Sequence, residues 1–314
     1  MILPISVIIP TMNRPESLDR TLQYMAKANN VPHQIVVVDQ SQHEDIRKKN
    51  EGILDKYKTI ESRVYIYQQI PSLTKARNKG LSNADNEVII LSDDDVDVPA
   101  DMFTNVARLM QDKKVAMIAG IDELTQQSKT NIGYFLGTKS YINRKIGHVT
   151  YSMLGRYPDS ITSQVETQWA QGYFFVVRKS CLSRWNIRWD ENLSSYAYAE
   201  DLDFSYTYYK AAKIEKMRCI LDPSVHVKHL ATLEYRVPNA KSIYMYVLNR
   251  KYLAHKHQMG FKSIVCRNWC ELWRFVELIV KRKNAKTFFK AYLCKFKYGT
   301  EINAGKLDYD KYMK

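Results

Sequence analysis

The chain has 314 residues and a mass of 36.8 kDa, with 45% hydrophobic and 25% charged side chains, and its 47 Lys and Arg outweigh 33 Asp and Glu to leave a formal net charge of +14. Those proportions suit a globular chain long enough for one large or two modest domains, and they exclude disorder, collagen-like repeats and disulfide-stapled mini-folds. The charge excess points to a polyanionic partner, either nucleic acid or an anionic membrane surface.

The first 120 residues alternate between short apolar runs and amphipathic segments. A strand is predicted at 5–9, then a polar turn (Thr11, Met12, Asn13, Arg14) and a helix opened by Pro15 and Glu16, both good start signals. Strands follow at 34–39 and 64–67, with a helix around 44–58 between them. A helix over 73–84 precedes a strand at 87–91, and a helix over 100–111 precedes a strand at 115–119. Continuous apolar strands separated by helices predict an α/β fold with a mostly parallel sheet covered on both faces. Residues 121–168 are polar and weakly periodic and read as loops and short elements over the sheet edge. Beyond them come a strand at 172–177, short helix at 180–185, helix at 199–212 and strand at 215–221. From about 239 the pattern is helix after helix, so two units are expected: 1–238 and 239–314, with the boundary near Pro238.

Charge divides the same way. Residues 1–240 hold 30 basic and 28 acidic side chains, whereas residues 241–300 hold 14 basic residues and only Glu271 and Glu277. The five cysteines (181, 219, 266, 270 and 294) include no CxxC, which predicts reduced thiols in a cytosolic setting rather than a disulfide framework. Cys266 and Cys270 can share a helix face, but no further zinc ligands accompany them. The first residues carry no basic stretch and too short an apolar run for a signal peptide, and no segment reaches the roughly 18 apolar residues of a membrane span.

In open α/β sheets, ligands bind beyond the carboxyl ends of the strands. Four strand ends carry suitable residues: Thr11 and Asn13, Asp39, the Asp93-Asp94-Asp95 cluster, and Gln171 just ahead of the 172–177 strand. Asp39 alone reads better as a helix N-cap. Three consecutive carboxylates repel one another unless a cation or solvent relieves them, and hard oxygen ligands at a strand end suit Mg²⁺ or Mn²⁺ holding a phosphate. The chain has neither GxGxxG after its first strand nor GxxxxGK[ST], and only 11 glycines. A nucleotide would therefore be held by side chains and a metal, which disfavours a dehydrogenase or P-loop NTPase.

These residues, taken in order, resemble the family 2 glycosyltransferases of the GT-A fold, the bacterial surface-polysaccharide type. The resemblance covers roughly residues 4–235. It rests on Ser6-Val7-Ile8-Ile9-Pro10-Thr11-Met12-Asn13-Arg14, Val36-Val37-Val38-Asp39, and Thr74-Lys75-Ala76-Arg77-Asn78-Lys79-Gly80. It continues through Leu91-Ser92-Asp93-Asp94-Asp95 with Pro99 behind, Gly172-Tyr173-Phe174-Phe175-Val176-Val177-Arg178, Glu200-Asp201-Leu202-Asp203-Phe204, and a histidine within 223–229.

The resemblance implies a nucleotide-sugar pocket formed by Pro10, Thr11, Asn13, Arg14 and Asp39, with Arg77 reaching the base or diphosphate and Asp93, Asp94 and Gln171 beside the donor. The aspartate cluster resembles the DXD motif that holds a divalent cation. Counting back from Pro99 ranks Asp94 first as ligand, and a literal DXD gives Asp93 and Asp95. His229 is preferred over His226 as a third ligand. Glu200 and Asp201 resemble the acceptor-facing pair, with Asp201 the general base of an inverting enzyme, and Trp169 and Gly172 fall on the acceptor side. The implied reaction moves a sugar from a nucleotide-diphosphate donor, expected to be UDP-linked, to a hydroxyl of a growing surface polysaccharide whose acceptor is lipid-linked.

In the C-terminal stretch, Ile264, Trp269, Leu272, Trp273, Val276, Leu278 and Ile279 are too apolar for a solvated helix, and Arg267, Glu271, Arg274 and Glu277 interrupt the run too often for a span. A basic amphipathic module over 241–300 suits an anionic membrane surface. Packing on the body with a solvated basic side is the competing reading. The expected location is cytoplasmic, peripheral on the inner membrane face, without nucleic acid as partner, and homo-oligomerisation stays open. Two rival functions are a nucleotidyltransferase on a related sheet and a non-catalytic basic protein docking on polyanions.

Overall fold

Apolar, β-branched runs form the centre of the sheet in the computed structural model, which describes residues 1–125, 132–138, 145–194, 198–231 and 239–314. Pro238, the expected boundary, lies outside them. The first half of the chain runs β1 (Ile2–Thr11), α1 (Pro15–Ala26), β2 (Val31–Asp39), α2 (Glu44–Lys56), β3 (Ser62–Tyr67), α3 (Leu73–Ser82), β4 (Val88–Ser92), β5 (Val96–Asp97), α4 (Met102–Met110) and β6 (Val115–Asp122). It continues through α5 (Ile132–Leu136), β7 (Val165–Glu166), β8 (Phe174–Arg178), α6 (Lys179–Trp185), α7 (Glu200–Ile214) and β9 (Arg218–His229). Five helices close the chain: α8 (Asn239–Lys256), α9 (Gly260–Val280), α10 (Ala285–Lys297), α11 (Gly299–Asn303) and α12 (Tyr309–Met313).

The sheet order is β3-β2-β1-β4-β8-β6-β9-β5, with β7 beside β9. The β1, β2, β3 and β4 strands are mutually parallel, as the alternating pattern predicts, and β6 is parallel to β9. The β8 strand runs antiparallel between β4 and β6, and β5 and β7 are antiparallel to β9. The β1 residues from Ile5 onward are all buried, because helices cover both faces of this strand.

One expected boundary moves far. The strand expected at 215–221 starts at Arg218 and continues to His229. Pro223 does not end it, because the β6–β9 register shifts between Ala119 and Ile121, and that irregularity absorbs the missing donor. His226 and His229 consequently sit on a strand rather than in a strand-end loop.

Position and packing of α7 follow from two features. Ala199 adopts φ +66 just before the helix, which turns Glu200 and Asp201 onto its first turn. Phe204, only 1% exposed, then stacks on Trp189 at 4.2 Å between ring centres and lies 5.9 Å from Phe175 of β8.

The C-terminal helices share the core of the sheet: Tyr244, Met245, Val247, Leu248 and Leu253 of α8 are buried in it. Polar contacts reinforce the packing. Asn249 Nδ2 donates to the Tyr198 carbonyl (2.8 Å), Arg250 Nε to the Ser152 carbonyl (2.8 Å), and Tyr252 hydroxyl to Asp190 (2.6 Å). Lys256 bridges Asp190 and Asp203, and His257 Nε2 lies 2.8 Å from Asp203 Oδ1. By contrast, α9 leaves Ile264, Val265, Trp269, Leu272 and Ile279 about half exposed.

Truncating Phe204 to Ala removes the ring that locks α7 to the sheet, and a loss of roughly 3–5 kcal/mol is expected from urea denaturation.

Candidate active site

The acidic cluster sits in the turn that follows β4, which makes one of the sheet's strand ends strongly negative. The turn is pinned from α1: Thr21 Oγ1 donates to the Asp94 carbonyl (2.8 Å) and accepts from Val96 N (3.1 Å), and Arg20 pairs with both oxygens of Asp97. Pinning separates the roles of the three aspartates. Asp94 is fully buried, accepts from Thr11 Oγ1 (2.5 Å) and pairs with Arg14. Burial pushes its carboxyl up to about 7, against the pull of Arg14 and Thr11.

Asp93 and Asp95 instead turn toward His229. Ligand atoms of Asp93, Asp95 and His229 all lie within 4.8 Å of one another, with His229 Nε2 3.3 Å from Asp95 Oδ1. The His229 ring stacks on Tyr173 at 5.0 Å, and its backbone N–H donates to Asp122 (3.0 Å). Burial lowers its basicity, but the Asp95 hydrogen bond and the nearby carboxylates outweigh that and raise it above the usual imidazole value. Two carboxylates and one imidazole make a donor set that fits Mn²⁺ or Mg²⁺. The ranking of Asp94 as first ligand is not what this geometry favours, because its side chain is turned to Thr11 and Arg14. His226 pairs with Glu123 instead, apart from the cluster.

A second group converges on Arg77 of α3. Its guanidinium, 1% exposed, donates to Glu200 (3.0 Å), Asp93 (3.0 Å) and the Gly172 carbonyl (3.1 Å), and lies 4.4 Å over the Trp189 ring. Gly172 permits this approach, since a Cβ there would come within 2.9 Å of the guanidinium. Asp201 receives backbone N–H bonds from Gly172 (3.0 Å) and Leu202 (2.7 Å), one on each oxygen. Burial raises its pKa, opposed by those N–H groups and by Arg77. Glu200 is raised well above the usual range by burial and by Asp201.

A cavity of about 330 Å³ gathers Arg77, Asp93, Trp169, Gln171, Gly172, Glu200, Asp201 and His229. The remaining expected residues lie outside its lining. Thr11 and Arg14 connect to it through Asp94 and Asp95. Asn13, at φ +57, has a buried Oδ1 with no hydrogen-bond partner among the described residues, an acceptor near the strand ends. Asp39 is buried at the end of β2 and accepts from Ser41 N, Asn50 Nδ2 and the Tyr65 hydroxyl. Pro10 is buried beside Val38 in the sheet.

Sequence reasoning missed several members. Met153, Leu154, Gly155, Tyr173 and Tyr198 also line the cavity, and Asp122 anchors His229. Asp122 closes an apolar strand and was open to the same strand-end argument as Asp39. The 153–155 segment carried no periodicity to mark it. Gly155 is required there because any Cβ would overlap the Trp169 indole.

Replacing Arg77 with Met strands a buried Glu200 carboxylate. A loss of roughly 3–5 kcal/mol is expected by chemical denaturation, smaller in the Arg77→Met/Glu200→Gln double variant.

The profile of the family described as Glycosyl transferase family 2 matches residues 6–183. No protein of curated function matches the chain. Among solved structures, S. aureus TarS 1-349 in complex with UDP-GlcNAc is similar at TM-score 0.58 and 16% identity, covering 92% of this chain and 79% of that one. GalNAc-T7 with UDP, GalNAc and Mn²⁺ is similar at 0.56 and 18%, covering 85% and 53%. The mannosyltransferase PcManGT from Pyrobaculum calidifontis, in complex with GDP-Man and Mn²⁺, is similar at 0.52 and 13%, covering 96% and 84%. With more than half of its length matched by the family profile and its fold shared with these structures, the chain belongs to glycosyl transferase family 2 and is an enzyme of GT-A fold.

Proposed function

We propose that the enzyme moves one sugar from a nucleoside-diphosphate donor to an acceptor hydroxyl, with inversion at the anomeric carbon. The observation that carries this reading is the placement of Asp201 in one cavity with Asp93 and His229, its two oxygens oriented by backbone N–H groups. A sugar hydroxyl is a weak nucleophile. Asp201 accepts its proton as the oxygen bonds to the anomeric carbon and the nucleoside diphosphate leaves with the bonding electron pair. Glu200 is committed to Arg77, and that pair holds the first turn of α7 in place.

Asp93, Asp95 and His229 would hold Mn²⁺ or Mg²⁺, which when bound supplies positive charge against the donor diphosphate. Arg14, Asn13, Thr11 and Asp39 form the base and ribose side, with Asn13 Oδ1 an available acceptor. UDP-GlcNAc in TarS and GDP-Man in PcManGT support a nucleotide-sugar donor here and leave its base to be measured. Trp169, Gln171 and residues 153–155 face the acceptor. A surface polysaccharide on a lipid carrier is the acceptor we infer. Support comes from the half-exposed apolar row of α9 together with the Lys-rich 281–297 stretch, a combination suited to an anionic membrane surface. Among the described residues no helix is long and apolar enough to cross a membrane.

A thermal-shift screen with UDP, GDP and dTDP is expected to show stabilisation by one nucleotide in Mn²⁺ that disappears in EDTA. Stabilisation by none of the three overturns the reading. Asp201→Asn is expected to lower kcat by about 10²–10⁴ with donor binding kept. Because burial raises the Asp201 pKa and only the ionised carboxylate accepts a proton, activity falls as pH drops through that raised value. The acid limb of kcat/KM therefore lies above 3.8, the ordinary aspartate value.

A further inference from the structure

Helix α9 is built inside out. Its charged residues Arg267 and Glu271 are buried, Glu271 to 1% exposure. On the opposite face Val265, Trp269, Leu272, Val276 and Ile279 are exposed, Trp269 at 48% and Leu272 at 52%. Spaced by four, three, four and three residues, these five form one stripe along a helix of 21 residues, about 31 Å long. A helix that packs on a core in water shows the reverse, apolar side inward and charges outward. The inward charges all have partners: Lys295 of α10 pairs with Glu271 and donates to Asn268 (2.6 Å), and Arg267 donates to Ser263 (3.2 Å). Breaking a buried ion pair is costly, so Glu271 and Lys295 fix which side of α9 faces out.

Neighbouring elements widen the stripe into a patch. Phe289 of α10 contacts Phe275 (5.8 Å between ring centres) and begins a second exposed row with Leu293 and Phe296. At the other end, Trp269 Nε1 donates to the carbonyl of Phe135 (3.0 Å), whose side chain is itself exposed. More than half of the large hydrophobic side chains exposed among the described residues lie between Phe261 and Phe296. A contiguous apolar patch of this kind marks a surface that another body covers.

Charge decides which body. Lys262, Arg282, Lys283, Lys286, Lys290 and Lys297 are exposed beside the apolar rows and in the turn that joins them. The two carboxylates of this stretch are already paired, Glu271 in the buried bridge and Glu277 with Arg274 and Lys281. A second copy docking by the same face would set cations against cations. A bilayer meets both features, because the acyl boundary takes the apolar rows while anionic headgroups take the Lys and Arg beside them. We propose that the α9–α10 face is an interfacial docking surface for anionic bilayers, lying in the membrane plane with Trp269 and Leu272 at the acyl boundary. The proposal goes beyond the transferase reading and does not depend on it, since it says where the enzyme is held whichever donor and acceptor it uses. It also accounts for the inverted α9, which neither the sheet nor the catalytic cavity requires.

Flotation of the full chain with phosphatidylcholine vesicles, with and without phosphatidylglycerol, tests the surface. Anionic vesicles are expected to bind at least tenfold more tightly than neutral ones, and added salt is expected to weaken that binding. Leu272→Asp and the triple variant Lys283→Glu/Lys286→Glu/Lys290→Glu, all at exposed positions, are each expected to weaken it at least tenfold. Both are expected to keep the wild-type thermal transition and its shift with nucleotide; should Leu272→Asp lose its fold, the triple variant decides. The proposal is overturned if the wild type binds neither vesicle or both equally, or if either folded variant binds like the wild type. A wild type that leaves vesicles unbound and sediments as a dimer, which Leu272→Asp makes monomeric, assigns the patch to a second copy instead. Absent vesicle binding with nucleotide stabilisation intact removes the docking surface alone, and vesicle binding without nucleotide stabilisation removes the transferase reading alone.

Discussion

The Arg77 guanidinium is the interaction on which the site depends. It is almost wholly buried, and it joins four parts of the chain that are distant in sequence: α3 itself, the turn after β4 through Asp93, the approach to β8 through the Gly172 carbonyl, and α7 through Glu200. A buried cation costs several kcal/mol unless its donors are used, and the planar fork of arginine supplies enough of them to serve three acceptors at once. Lysine offers a single point charge and could not hold three acceptors in fixed directions. The same contact sets the neighbouring geometry: Gly172, held by Arg77 through its carbonyl, donates its N–H to Asp201. The orientation of Asp201 is thus a by-product of an ion-pair network.

A second constraint follows from placing so many carboxylates at one sheet edge. Each is given a different partner. Asp97 takes Arg20, Asp94 takes Arg14 and Thr11, Asp39 takes Asn50 and Tyr65, and Glu200 takes Arg77. Asp93 and Asp95 converge with His229 into a set that a divalent cation fits. Four of these six carboxylates are therefore structural, and the turn after β4 uses α1 to decide which of them face the cavity. Within the turn between β4 and β5, Thr11 and Arg14 hold the Asp94 side chain, and the outer two aspartates come together with the histidine.

Much of this was legible in sequence, for identifiable reasons. Strand ends mark ligand sites in parallel sheets, and apolar runs mark strands, so Asp39 and Asp93–Asp95 could be placed before any coordinates, whereas Asp201, at a helix start, was marked only by the family resemblance. The order of the aspartates' roles could not, because it depends on Arg14 and Thr21, whose reach across to the β4 turn is a tertiary fact. The run of β9 through Pro223 was equally hidden, since a proline ordinarily ends a strand and only the bulge opposite Gly120 accommodates it. The 152–156 wall left no periodic trace at all. Its one sign was Gly155, and a lone glycine carries no meaning until the Trp169 indole is seen against it.

The +14 that first suggests a polyanion binder divides, in three dimensions, between two faces of the C-terminal helices. Inward, Lys256 serves Asp190 and Asp203, Lys295 pairs with Glu271, and Arg250 stacks on Tyr246 while donating to the Ser152 carbonyl. These contacts reach both sides of the catalytic cavity: Asp203 shares α7 with Asp201, and Ser152 begins the wall that carries Met153 and Gly155. The charge facing outward is correspondingly smaller than the sequence total, and it lies beside the apolar row of α9. Removing the helices would strip the cavity of one wall's support and α7 of its cationic brace together. The basic segment is therefore part of the frame that holds the cavity in place, and whatever surface it meets is coupled through α8 to the residues around Asp201.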